Sequence, residues 1–262
     1  MSMLAALDIQ GRVIKALFLR EMKTRFGEKR LGFFWAFGEP IIHVLGFVAV
    51  WKIFGRMGPN GVDPMLFLVT GIVPFIMFSN IVNKVVKAVD SNKALLVFPQ
   101  IKIVDFVFSR IIVEYVTYAT VMVIFVFALR YIGFNFYVEN LIGVITNFSL
   151  VALFAGGLGY ILMVITSVVE AVETFQRFLI RIMYICSGVF FSIDRIPHYI
   201  GEYIIWNPLL HLMHMIRADF FPQIPMKPEY SNLNYVLILT ALTWLLALVL
   251  TKRLIIFIMD TR

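Results

Sequence analysis

The sequence predicts an all-α integral membrane protein. Three observations carry that reading: 61% of the 262 residues are hydrophobic and only 15% charged, mean hydropathy is +0.89, and apolar runs of spanning length recur along the chain. A soluble domain is about 45–50% apolar and about 25% charged, and one of this size still exposes about a quarter of the surface of its unfolded chain. Only a bilayer accepts this composition. The same numbers exclude a disordered chain, a collagen-like fibre and a disulfide-stapled scaffold. The single cysteine, Cys186, leaves no intramolecular disulfide to form.

At the N-terminus, Ile14, Leu17, Phe18, Met22 and Phe26 recur at three- and four-residue spacing, while Arg12, Lys15 and Lys23 fall on other faces. This predicts an amphipathic helix over about residues 10–30, lying in the membrane interface. No small-residue cleavage site follows it, so it is expected to be retained. A spanning helix needs about 20 mostly apolar residues. Five segments meet that requirement: Leu31–Trp51 with Glu39 as its one formal charge, Pro64–Asn83, Ile111–Leu129 containing Glu114, Asn140–Val169, and Tyr230–Thr251. A shorter sixth, Phe178–Ile193, works only with Arg181 snorkelling to the interface. The stretch Ile196–Phe221 is half apolar and broken by Pro197 and Pro208, with Pro222 just beyond. It suits short helices dipping into the membrane from one side, where protein or a watery cavity satisfies the backbone.

Of the 23 Lys and Arg, seventeen fall on the N-terminal side of the spans and six opposite, which places the N-terminus in the cytoplasm. The tally is the same with five spans or six. The net charge of +7 reads as basic residues facing anionic lipid; no basic stripe with stacking aromatics lies outside the spans, which argues against a nucleic-acid partner.

No phosphate-cradling Gly-x-x-x-x-Gly-Lys-Ser/Thr loop is present, and neither Gly-x-Ser-x-Gly nor a basic neighbour for Cys186 supports nucleophilic catalysis. His211 and His214 share a helix face but lack the carboxylate pattern of a zinc site, so they read as interfacial histidines near Arg217. Ionisable groups inside spans are functional hypotheses by default. Glu39 either pairs with Arg30 or a lysine at the interface, or shapes the entrance of a substrate path. Glu114 is expected to pair with Arg110 one turn earlier, and Glu173 with Arg177. Ala152, Gly156, Ala155 and Gly159 are spaced for close helix contact, within one protomer or between two, and Gly71 with Pro74 suggests a kink. Between the second and third spans, Asn92–Pro99 predicts a short helix capped by Asn92 or Ser91 and stopped before Pro99. It would present Leu95, Leu96 and Phe98 to the cytoplasm, where exposed apolar groups usually have a partner.

The segments RLGFFWAFGEP (Arg30–Pro40), FLVTGIVPF (Phe67–Phe75), NKALLVFP (Asn92–Pro99) and NPLLHLMHMIRADFFP (Asn207–Pro222), in this order and over nearly the whole chain, resemble the type-2 ABC transporter permeases. They are most similar to the KpsM-like inner-membrane subunits of capsular polysaccharide export. The resemblance implies one transmembrane domain over residues 1–262, with six spans, both termini cytoplasmic and re-entrant periplasmic helices over residues 196–221 before the last span. It implies a homodimer docked on two separate ABC ATPase subunits that carry the ATP and Mg, with no cofactor in this chain. Its substrate would be a lipid-linked polysaccharide in the bacterial inner membrane, passed on to a periplasmic co-polymerase-type adaptor and an outer-membrane exporter. By the same similarity, residues 92–98 form the coupling helix, with Asn92, Lys93, Leu95, Leu96 and Phe98 as the ATPase-coupling set. Trp206, Asn207, His211 and Arg217 fall at the periplasmic exit; His214 and Met215 stand where an acidic residue is expected. Lys23, Arg25 and Arg30, with Trp35 and Glu39, are placed at the substrate entrance on charge and position. Export of O-antigen or teichoic acid by the same fold is the alternative. An integral-membrane enzyme of glycan assembly would need acidic or His clusters on its loops, and an ion-coupled carrier would need mid-membrane charges and inverted repeats; neither set is evident.

Overall fold

The computed structural model describes residues 3–26, 30–169 and 171–260, with side chains described for 8–24, 35, 37–169 and 171–254. Among them the chain forms α1 (Met3–Phe26), α2 (Arg30–Ile53), α3 (Pro64–Val86), α4 (Ile103–Ile132), α5 (Leu141–Thr166), α6 (Val172–Cys186), α7 (His198–Ile204), α8 (Pro208–Phe220) and α9 (Leu233–Asp260). Short 3₁₀ segments cover Pro59–Gly61, Asp90–Val97 and Ile193–Arg195. Among the described residues, α3, α4, α5 and the Leu233–Leu254 part of α9 are long and apolar enough to cross a membrane. The sequence-predicted first span lies inside α2.

Helix ends follow local chemistry. The Asp63 carboxylate accepts the Met65 N–H at 2.7 Å and Pro64 occupies the first turn of α3. Asn140 caps α5 through Gly143 N–H at 3.0 Å, and Asn207 caps α8 through Leu209 N–H at 3.1 Å. Gly133, at φ 107°, closes α4 in the left-handed conformation that glycine adopts freely.

Of the four helices α3, α4, α5 and α9, α3 and α5 are the most enclosed and α9 buries the least. The small residues of α5 let its neighbours approach within this protomer. A Cβ at Gly159 would lie 3.2 Å from Val82 Cα on α3, and one at Gly156 would lie 3.2 Å from Trp244 Cζ2 on α9. The Trp244 indole N–H donates to the Leu153 carbonyl at 2.9 Å, and Phe108 of α4 stacks on the same indole at 4.9 Å. α3 is a single helix through both Gly71 and Pro74.

The short sixth segment differs from its predicted bounds: α6 starts at Val172 and ends at Cys186, where Ser187 and Gly188 turn the chain, Gly188 at φ 71°. It lies beside α3 in antiparallel order. Glu173 meets Lys87 at 3.3 Å, Gln176 Nε2 donates to Asn83 Oδ1 at 2.7 Å, Tyr184 packs on Phe75 with ring centroids 4.5 Å apart, and a Cβ on Gly71 would lie 3.0 Å from the Val189 carbonyl. From Lys87 to Gly71 this run covers about 24 Å of helix axis. α8 follows on the far side of the turn and is enclosed over nearly its whole length, whereas α7 is mostly exposed.

Candidate functional site

Two regions carry the polar chemistry: the end of the bundle where α1 packs on the start of α4, and the opposite end, where α8 meets α3 and α5.

At the α1 end, Leu17 inserts into the core. The Gln10 amide donates to the buried Asp105 carboxylate of α4, and Arg20 Nη1 donates to Asn92 Oδ1 at 3.0 Å. The predicted capping role of Asn92 is therefore not the observed one. The segment Asp90–Val97 winds as a 3₁₀ helix led by Val89, with no side-chain cap. The Asn92 amide instead donates back to the Ala88 carbonyl at 3.0 Å while accepting from Arg20. Leu95 and Leu96 are half-buried and packed against the core, so they are not the groups presented outward. Val97 at 82% and Phe98 at 50% exposure are. Lys93 is half-buried. α1 and the segment enclose a groove of about 650 Å³ lined by Val13, Leu17, Arg20, Leu95 and Ile101 among others. Sequence reasoning missed Gln10 and Arg20, because both pair with residues more than seventy positions away.

The expected one-turn ion pairs are replaced by pairs between helices. Glu114, fully buried, bridges to Lys84 of α3 at 2.5 Å, while Arg110 donates to the Lys84 carbonyl. Glu173 takes Lys87, and Arg177 donates to Thr174 Oγ1 at 3.2 Å. Arg110 and Glu114 are both buried, and each turns to a group of α3, Arg110 to the Lys84 carbonyl and Glu114 to the Lys84 ammonium. Glu39 is half-buried and accepts a long hydrogen bond, 3.5 Å, from the Tyr118 hydroxyl, which in turn accepts from Asn80. Trp35 and Lys23 are exposed. The side chains of Arg25 and Arg30 lie outside the described residues.

At the opposite end, the predicted exit residues divide. Trp206 is 73% exposed. The other three are committed internally. Asn207 donates to Cys186 O at 3.2 Å and to Ser187 Oγ at 3.0 Å. His211 Nδ1 accepts the Asn232 N–H at 3.2 Å, so its Nε2 carries the proton donated to Ile205 O at 2.8 Å. With both ring nitrogens used, His211 is no metal ligand, and no group of three or more His, Cys, Asp or Glu among the described residues is placed to hold an ion. Arg217 is buried. Nη1 donates to Gly188 O at 2.5 Å, Nη2 donates to Val189 O at 2.8 Å and Phe67 O at 3.3 Å, and the guanidinium carbon stands 3.6 Å from the Phe67 ring centroid. Gly71, lacking a side chain, leaves it room. Two residues on, Asp219 faces α5, accepting from Asn140 Nδ2 at 2.9 Å and Asn147 Nδ2 at 2.7 Å.

Outside the helices, Asp194 accepts from both Lys227 and Tyr230. Desolvation alone would raise the Asp194 carboxyl, but these two donors outweigh it and hold it below its ordinary value; the hydrogen bond to Asp194 raises Lys227. A carboxyl whose folded pKa is depressed stabilises above its unfolded value and loses that contribution as pH falls through the folded one. A lysine with a raised pKa stabilises below its unfolded value and loses it as pH rises through the folded one. The clip therefore holds across the neutral range; its contribution begins to fall below about pH 4 and above about pH 10, and is lost only once pH has passed the folded values beyond those limits. We expect the melting-temperature gap between the wild type and Asp194→Asn to be widest near neutrality, to narrow from about pH 4 downward and to close as pH falls through the depressed folded value; a gap that does not narrow in acid would show that the contact is not ionic.

The sequence matches the family model described as ABC-2 type transporter over residues 12–221. The polysialic acid transport protein KpsM of Escherichia coli is 30% identical over 246 residues, covering 94% of each chain. The capsule polysaccharide export inner-membrane protein CtrC of Neisseria meningitidis serogroup A is 31% identical over 255 residues, covering 96% of this chain and 94% of its own. The O-antigen export permease RfbA of Klebsiella pneumoniae is more distant, 24% identical over 221 residues and 82% of each chain. Relatives that align nearly end to end are thus a polysialic acid transport protein and a capsule polysaccharide export inner-membrane protein, and this chain belongs to the ABC-2 type transporter family.

Proposed function

We propose that this chain is the membrane-spanning subunit of an ATP-driven exporter of lipid-linked capsular polysaccharide. The observation that carries the reading is the near end-to-end similarity to capsule-export permeases, set against lower similarity to the O-antigen permease. In this reading two copies dock on two ATPase subunits, which bring the ATP and Mg. The α1 end is cytoplasmic. The docking surface is the Asp90–Phe98 segment braced by α1, and the polysaccharide enters past Lys23, Arg25, Arg30, Trp35 and Glu39. A periplasmic co-polymerase-type adaptor and an outer-membrane exporter receive it.

Six spans with both termini cytoplasmic belong to the same reading, and the antiparallel run of α6 beside α3 supports it. A helix of 15 residues is short for a bilayer of about 30 Å, yet with its flanking turns it covers about 24 Å of axis. α7 and α8 become the re-entrant periplasmic pair. Enclosure of α8 by α3, α5 and α9 fits the rule that broken helices enter a membrane only where protein satisfies them.

Deleting the gene in an encapsulated host is expected to leave lipid-linked polymer inside the cell and none on the surface. Polymer missing altogether would make the chain part of synthesis, and normal surface polymer would end the proposal. A reporter fused to the C-terminus should read cytoplasmic; an external reading would remove α6 from the spans.

A further inference from the structure

Between the end of α2 and the loop after α6 lie two adjoining hollows of about 490 and 310 Å³ that share Trp51, Arg56 and Phe190. Their walls are aromatic: Phe47 and Phe190 pack with ring centroids 4.3 Å apart, Trp51 stacks on Phe67, and Phe191 closes the second hollow. Two guanidinium groups stand at the rim, Arg56 from the chain after α2 and Arg195 from the loop before α7, both exposed. Neither has a carboxylate partner among the described residues. The nearby acids are committed elsewhere, Asp194 to Lys227 and Tyr230, and Asp63 to the cap of α3. Among the described residues Arg195 makes a single long hydrogen bond, to Gly58 O at 3.4 Å.

The cleft is also held open. The carbonyls of Gly188 and Val189, just before Phe190, are the ones Arg217 pins to α3. The wall that bears Phe190 and Phe191 is thus fixed from behind, so its occupant does not have to order it.

We propose that this cleft is a binding subsite for an acidic sugar unit of the exported polymer. Aromatic faces take the C–H face of a pyranose ring by apolar contact, and paired guanidinium groups take a carboxylate through their planar donor forks. A neutral glycan would use the rings alone. A purely lipidic occupant would have no need of two uncompensated arginines above an aromatic floor, although an anionic headgroup would satisfy the charge, so the test separates them. The proposal rests on the polysaccharide-export reading and places the subsite at the periplasmic end.

The test is titration of the full chain in phosphatidylcholine nanodiscs with hexagalacturonate, with maltohexaose as the neutral control. Hexagalacturonate is expected to bind more tightly than maltohexaose. Arg56→Gln with Arg195→Gln should weaken the acidic probe by about tenfold or more, the loss of charge-assisted hydrogen bonds, without changing maltohexaose binding. The Arg56→Lys, Arg195→Lys variant should recover part of the affinity. Equal hexagalacturonate affinity in the wild type and the Gln variant overturns the proposal. So does failure of hexagalacturonate to bind when phosphatidylglycerol in the nanodisc protects the two arginines from chemical modification, which would assign the cleft to lipid. In cells making an acidic capsule, the Gln variant should export poorly at normal protein level. If it exports as the wild type does while the deletion strain traps polymer inside, the subsite is wrong and the export reading stands; if the deletion strain traps none, the export reading itself has failed.

Discussion

Arg217→Met is expected to be among the most destabilising single changes in this chain. The side chain keeps its bulk but abandons the carbonyls of Gly188, Val189 and Phe67. Burying a guanidinium costs several kcal/mol, and among the described residues no carboxylate offsets it: Asp219, two residues away, faces α5. What offsets it is three carbonyl dipoles and the Phe67 ring, a cation–π contact worth about 2 kcal/mol when desolvated. Removing the cation leaves the Gly188 and Val189 carbonyls unpaired at about 1–3 kcal/mol each, whereas the Phe67 carbonyl keeps the Thr70 hydroxyl at 3.1 Å, so a net loss of about 4 kcal/mol is expected after local relaxation. The reading is the melting temperature of the purified protein together with its membrane level. Both should fall sharply for Arg217→Met and less for Arg217→Lys, which keeps the charge but reaches fewer carbonyls. A wild-type melting temperature in Arg217→Met would show that the loop after α6 is held by other contacts.

The contrast between what the sequence discloses and what it conceals follows from contact distance. Spans are legible because lipid imposes one rule on twenty consecutive residues, whereas the caps at Asp63 and Asn140, although their partners are only two or three residues away, emerge only with the fold. Ion pairs within spans are not legible either. Glu114 has an arginine one turn before it and still takes Lys84, because the choice is made by which helix faces it. Asn92 has the right chemistry for a cap and is drawn off by Arg20 from α1. The same holds for the Asn207–Pro222 motif. Its order in the chain marks the family, but only the fold reveals that Asn207, His211 and Arg217 spend their donors within the bundle, so that of the four residues predicted at the exit Trp206 is the exposed one.

The sharpest consequence lies at the α1 end. Of Leu95, Leu96 and Phe98, the apolar residues that the sequence offers as a docking surface, Leu95 and Leu96 pack against the core, and an aspartate at either would disturb the fold and the docking together. Val97 and Phe98 are exposed on a segment braced by Arg20 through Asn92 and stopped at Pro99. Burying two such side chains against a partner is worth about 1.5–3 kcal/mol each, and a charge in their place adds a desolvation cost. Val97→Asp with Phe98→Asp is therefore expected to leave membrane level and melting temperature within the narrow range of surface changes, about 0.5 kcal/mol. Co-purification of the ATPase should be abolished or reduced by tenfold or more, and polymer export with it. Arg20→Ala should give a milder version, since it loosens the segment without removing its contacts. If the double variant retains its ATPase and exports normally, the docking surface lies elsewhere on this end, and the groove between α1 and Leu95 becomes the next place to put the charge.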